Sequence, residues 1–134
     1  MNIEECSFKT DAFSEKMFLN LYDRFPDLFI VAEKNRHIRG YMITGYFDHR
    51  GHIISIAVEP SYRQKGIGKA LAHFTFEELE NRGVKKVDLD ARVTNERGLK
   101  FWKHLGFSPL RIIHRFYGDG EDALRMRKQL QEDG

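Results

Sequence analysis

A glycine pair set among basic residues is the first stretch of this chain with a chemical reading: Arg63-Gln64-Lys65-Gly66-Ile67-Gly68, followed by Lys69. At the start of a helix the leading backbone N–H groups have no acceptor within the helix, and the helix dipole adds partial positive charge, so an anion is favoured there. Glycine lets the backbone approach phosphate oxygens closely, and Arg63, Lys65 and Lys69 add cationic charge. Phosphate is the natural ligand. Two nucleotide patterns fail, because a dinucleotide fingerprint needs a third glycine where Leu71 stands and a Walker A loop needs Ser or Thr where the chain has Ala70. Taken alone, the loop is equally well read as an ordinary capped turn with solvated basic side chains.

The neighbouring elements set this loop between a strand and a helix. His52 to Val58 reads as a strand ended by Pro60, and Ile67, Ala70, Leu71 and Phe74 repeat at helical spacing in a helix that runs to Gly83. Upstream, Ser14 is an N-cap candidate for a helix carrying Phe18, Leu21, Tyr22 and Phe25 and stopped by Pro26. Leu28 to Ala32 and Ile38 to Phe47 flank a polar turn as a hairpin, and Asp48 to Gly51 turns the chain into the His52 strand. Downstream, Val87, Leu89, Ala91 and Val93 alternate with Lys86, Asp88, Asp90 and Arg92 at strand period. Asn95 to His104 is a short helix closed by Gly106, and strands near Leu110 to Tyr117 and Glu121 to Gln129 join through Gly118-Asp119-Gly120. Helices between some strands and hairpins between others predict an α/β fold, a mixed sheet with helices on its faces.

Composition bounds the function. The chain has 134 residues, 41% hydrophobic and 31% charged, which fits one domain spanning 1–134 and excludes disorder and collagen. Its longest apolar runs, such as Leu28 to Ala32, are far short of the roughly 20 residues of a membrane-spanning helix. Glu4 and Glu5 stand where an export signal would be basic and then apolar, so a soluble, cytoplasmic protein with no membrane partner is expected. The single cysteine, Cys6, allows no intrachain disulfide, and no metal site is expected. Twenty-two Lys and Arg against twenty Asp and Glu leave +2, too mild to imply nucleic acid as a partner. A second basic cluster, Arg111, Arg115, Arg125, Arg127 and Lys128, has no specific reading.

Two linked stretches resemble the GNAT superfamily of acetyl-coenzyme A dependent N-acetyltransferases. His52-Ile-Ile-Ser-Ile-Ala-Val58 and Glu59-Pro-Ser-Tyr-Arg63-Gln-Lys-Gly-Ile-Gly68-Lys-Ala-Leu71 resemble the family's Arg/Gln-x-x-Gly-x-Gly/Ala pyrophosphate motif and its preceding strand. Asn95-Glu-Arg-Gly98-Leu-Lys-Phe101-Trp102-Lys-His-Leu-Gly106-Phe107 resembles the Asn-x-x-Ala-x-x-Leu-Tyr-x-x-x-Gly-Phe helix downstream. A third, Phe116-Tyr117-Gly118-Asp119-Gly120-Glu121-Asp122-Ala123, resembles the hairpin of the ribosomal-protein alanine acetyltransferases and their archaeal and eukaryotic relatives, which acetylate protein N-termini. Ile3 to Phe8 is similar to the end of that family's first helix, which leaves no residues for the first strand, so either the fold lacks that edge strand, or a partner chain covers it, or the start lies upstream. An uncovered edge invites pairing with another chain, which puts a homo-oligomer among the expectations.

The resemblance implies acetyl-CoA as co-substrate and a protein or peptide N-terminus as acceptor. It assigns pantetheine contacts to Ile56, Ala57 and Val58. The pyrophosphate falls to Arg63, Gln64, Lys65, Gly66, Ile67, Gly68 and Lys69, and a coenzyme hydrogen bond to Asn95. It also implies that Asp90 is the base that takes the amine proton and that Tyr117 holds the substrate backbone. Asp90 also reads as an ordinary paired carboxylate of its strand. His52 is an alternative base, of a residue type that exchanges protons near neutral pH. Trp102 stands where many relatives carry a tyrosine that protonates the coenzyme thiolate; indole does not titrate usefully, so Trp102 either orients sulfur or packs. A lysine or small-amine acetyltransferase and a non-catalytic acetyl-CoA-binding module are the alternative readings.

Overall fold

The computed structural model describes residues 2–8, 17–24, 27–63 and 66–131. Its elements in chain order are β1 (Asn2–Phe8), β2 (Met17–Arg24), β3 (Asp27–Lys34), β4 (His37–Phe47), β5 (Arg50–Val58), α1 (Ile67–Asn81), β6 (Lys86–Arg92), α2 (Glu96–His104), β7 (Ser108–Ile113) and β8 (Ala123–Gln129). A 3-10 turn, Pro60–Tyr62, lies between β5 and α1. The strands form one eight-stranded sheet in the order β1-β2-β3-β4-β5-β6-β8-β7. Only β5 and β6 run parallel, because α1 carries the chain between them. The β3–β4 hairpin closes on Asn35 and Arg36, at φ 54° and 65°, the left-handed pair that a two-residue turn needs to match strand twist.

Alternation decides which face the core takes. Leu19 and Leu21 on β2, Leu28 and Ile30 on β3, Met42 on β4, Val87 and Leu89 on β6 and Met126 on β8 are buried against Ile67, Leu71 and Leu79 of α1. Gly40 on β4 permits this approach, since a Cβ there would stand 3.0 Å from the Ala57 carbonyl and 3.2 Å from both Ile67 and Leu71 side chains. Trp102 of α2 joins the same core, with its ring 5.3 Å from Phe107, which lies 5.9 Å from Phe76 of α1.

The N-terminal part departs from the sequence expectation. Residues 17–24 form a strand, not a helix; Ser14, Phe25 and Pro26 lie outside the described residues. Leu19 and Leu21 satisfy a period of two as well as a helical period, and the edge of β3 pairs with the facing edge of β2 from Phe18↔Glu33 to Arg24↔Asp27. Ile3 to Phe8, expected to end a helix, is β1, so the edge expected to lack a strand carries β1 beside β2. Consequently both described helices serve one face of the sheet. The other face presents His52, Asp88, Asp90, Arg125 and Arg127. No described helix is long and apolar enough to cross a membrane.

Candidate active site

The sheet forks at His52. β5 and β6 pair only at Arg50↔Lys86, Gly51↔Val87 and His52↔Asp88. Beyond that point β5 stays with β4 as far as Gly40↔Val58, while β6 follows β8 to Arg92↔Ala123. The cause is local: Ile43 pairs with Ser55 while Thr44 pairs with Ile53, so Ile54 is an extra residue on β5. Such a bulge bends a strand and increases its twist. One edge of Ile56, Ala57 and Val58 is held by Met42, Tyr41 and Gly40, and the other edge faces the fork. An extended chain laid there would find strand-like backbone partners.

At the open end of the fork the glycine loop begins α1. Gly66 caps the helix at φ 86°, a left-handed value that costs an L-residue roughly 1–2 kcal/mol, and its carbonyl accepts from Ala70 N–H at 2.9 Å. No acidic side chain occupies the first turn, so the leading N–H groups of Ile67, Gly68 and Lys69 and the dipole are available to an anion. Gly68 faces Phe101 of α2, whose ring would stand 3.4 Å from a Cβ at that position. Arg63 is tied by its Nε to the Val58 carbonyl at 3.2 Å, which joins the loop to the lip of the fork. Gln64 and Lys65 lie outside the described residues. Asn95 caps α2, its Oδ1 accepting from Gly98 N–H at 3.0 Å, which leaves its amide N–H2 for another partner. Trp102 is 6% exposed between Phe101 and Phe107, the packing role of its two readings.

The opposite face carries a ladder of charges. Arg125 donates to both oxygens of Asp90 at 2.8 and 3.0 Å, and Arg127 does the same to Asp88 at 2.7 and 2.9 Å. The register makes these pairs directly opposite, Asp90↔Arg125 and Asp88↔Arg127. Burial pushes Asp88 up, but the Arg127 hydrogen bond and charge outweigh it and hold the carboxyl below its usual range. His52 Nε2 lies 3.4 Å from Asp90 Oδ2 at the crotch of the fork. Asp90, with a side chain 7% exposed, therefore has both oxygens engaged, whereas His52 is 44% exposed. These groups border an open cleft of about 550 Å³, lined by His52, Asp88, Arg125, Arg127, Arg50 and Lys86 and rimmed by Phe47.

The loop between β7 and β8 places Tyr117 beside this ladder. Each carboxylate of the Asp119-Gly120-Glu121-Asp122 run has a structural partner. Asp119 accepts from Glu121 N–H at 3.0 Å and from Arg92 at 2.8 Å, Glu121 from the Thr94 hydroxyl at 2.9 Å, and Asp122 from Arg115 N–H at 2.9 Å. Arg92 in turn stacks on the Tyr117 ring, 4.1 Å from its centre. Burial and the nearby Asp90 charge push the Tyr117 phenol up, so it keeps its proton and acts as a donor.

Sequence reasoning missed Arg125, Arg127 and Asp88, and left the first two in an unassigned basic cluster. The available signal was the match of Asp88 and Asp90 with Arg125 and Arg127, each pair spaced by two on a strand. The reading that Asp90 is a paired carboxylate agrees with the geometry, but the partner is Arg125 on β8 and not a neighbour on its own strand.

Known proteins share the family and the fold. Residues 1–107 match the family model described as the acetyltransferase (GNAT) family, and the chain belongs to that family: it is an acetyltransferase. A Methanocaldococcus jannaschii protein named as an N-acetyltransferase is 33% identical over 132 residues, 95% of this chain and 81% of that protein. An N-alpha-acetyltransferase of Sulfurisphaera tokodaii is 31% identical over 126 residues, 84% of this chain and 75% of its own. The crystal structure of the ribosomal-protein alanine N-acetyltransferase of Escherichia coli superposes with a TM-score of 0.77 at 30% identity, covering 84% of this chain and 74% of that one.

Proposed function

We propose that this acetyltransferase moves the acetyl group of acetyl-CoA directly onto the α-amino group of a protein or peptide N-terminus. The observation that carries the reading is the fork itself. An extended thioester arm fits its edge, with a phosphate site at the Gly66–Lys69 turn and a base, His52, where the strands part.

The attacking amine must be neutral. With an α-amino pKa near 7.8, about a seventh of N-termini are neutral at pH 7, against roughly 0.04% of lysines with a pKa near 10.4. An α-amine therefore asks little of the base. With both Asp90 oxygens taken by Arg125, His52 is assigned as the base, and the Asp90 charge 3.4 Å from its Nε2 steadies the imidazolium that forms. As the N–C bond forms at the acetyl carbonyl and the C–S bond breaks, the amine proton passes to His52. The sulfur departs as thiolate and takes a proton from water, a tolerable exit for a thiol whose reference pKa is near 8.5. The Tyr117 hydroxyl donates to the acceptor backbone. Cys6, on β1 four strands from β5, takes no part, so no acyl-enzyme forms.

The relatives named as N-alpha-acetyltransferases support an α-amine over a lysine. Mass spectrometry of two peptides incubated with protein and acetyl-CoA tests this, one with a free α-amine and no lysine, the other blocked at the α-amine with an internal lysine. The reading expects the first alone to gain an acetyl group. Modification of only the second, or of neither, contradicts it.

A further inference from the structure

The charge ladder beside His52 is unevenly filled. On this face β5 presents Arg50 and His52, β6 presents Lys86, Asp88 and Asp90, and β8 presents Arg127 and Arg125. Two carboxylates take two guanidinium groups, Asp88 with Arg127 and Asp90 with Arg125. Arg50 and Lys86 sit opposite one another in the register, and no carboxylate of the described residues forms an ion pair with either. Asp48, in the turn before Arg50, lies 3.6 Å from His49. Both free cations line the cleft whose inner end is His52.

Resting on the acceptor reading above, we propose that Arg50 and Lys86 receive a carboxylate of the acceptor, one or two residues from the reacting amine. Arg50 precedes His52 by two residues on one strand, a separation of about 6.6 Å. One or two residues of extended acceptor span about 3.3–7 Å, so an amine at His52 puts its second or third residue over the Arg50–Lys86 pair. Two like charges opposed across a parallel pair repel each other, and a bound carboxylate relieves that repulsion. Phe47, 74% exposed at the rim, offers apolar cover to the same acceptor segment. The carboxylate can come from an Asp or Glu side chain or from the main-chain terminus of a very short acceptor.

The test compares peptide amides that differ only by Asp against Asn at the second or third residue, together with a dipeptide bearing a free C-terminal carboxylate. Both transfer and peptide binding in the presence of coenzyme A are read. The proposal expects the Asp peptide to exceed its Asn twin tenfold or more in kcat/KM, with the advantage fading at high salt and vanishing in Arg50→Gln/Lys86→Gln. A free dipeptide that matches the Asp peptide would place the source at the chain terminus. Equal use of Asp and Asn twins, or an advantage that survives the double variant, overturns it. If acidic peptides bind in an Arg50- and Lys86-dependent way yet gain no acetyl group, the cationic subsite stands and the α-amine reading fails.

Discussion

The two sides of the fork are built from different materials. On the side we assign to the coenzyme the groups belong to the backbone: the free edge of β5 past the Ile54 bulge and the leading amides of α1 after Gly66. On the side we assign to the acceptor they belong to side chains that meet only because of register, with Asp88 and Asp90 from β6 laid against Arg127 and Arg125 from β8. A backbone site is written in a short contiguous motif, since it needs glycine where a side chain would intrude. A ladder site is written in four separate places, and nothing in one strand names its partner.

Variants at each side break or sharpen this contrast. Gly68→Ile, which drives a branched side chain against Phe101 at the mouth of the phosphate turn, is expected to abolish coenzyme binding by calorimetry and transfer with it. Asp90→Asn removes the charge beside His52 and half of the Arg125 pair. Transfer should fall by about 10–100-fold, short of the roughly 100–10,000-fold that loss of a whole general base costs, while coenzyme affinity stays. Tyr117→Phe deletes one donor to the acceptor, worth about 1 kcal/mol, or roughly a fivefold rise in acceptor KM with coenzyme KM unchanged. Asp88→Asn costs about 1 kcal/mol in thermal unfolding at neutral pH, the upper end for an ion pair that keeps some contact with water. Because Asp88 is held below its usual range, its contribution is present above the ordinary carboxylate pKa near 4 and lost as pH falls through the lowered value. Unfolding scans in acid should therefore fall less steeply in Asp88→Asn than in the parent chain.

The same contrast explains what could be read in advance. The β3–β4 hairpin, α1 with its glycine start, the alternating β6 and the Asn95-capped α2 were all legible, because each is set by local period and local punctuation. The segment around Leu19 and Leu21 was not. Its apolar spacing serves helix and strand alike, and the choice is made by β3, which offers a free edge to pair with. Of the candidate site, the glycine turn that starts α1 was legible from its glycines, and Asp90 and His52 were each visible as candidates. The pairing that separates them was hidden, since Arg125, which fills both Asp90 oxygens, lies 35 residues away. The Trp102 ambiguity likewise yields only to the packing of Phe101 and Phe107 around it.

The most direct test of the account is one variant read twice. In His52→Gln, coenzyme A affinity by calorimetry and single-turnover acetyl transfer to an α-amine peptide are measured on the same preparation. The account predicts an affinity within about twofold of the parent, since the backbone site does not use His52, and transfer slowed about a hundredfold or more. Transfer at the parental rate would remove His52 from the chemistry, and coenzyme binding lost together with transfer would contradict the separation of the two sides.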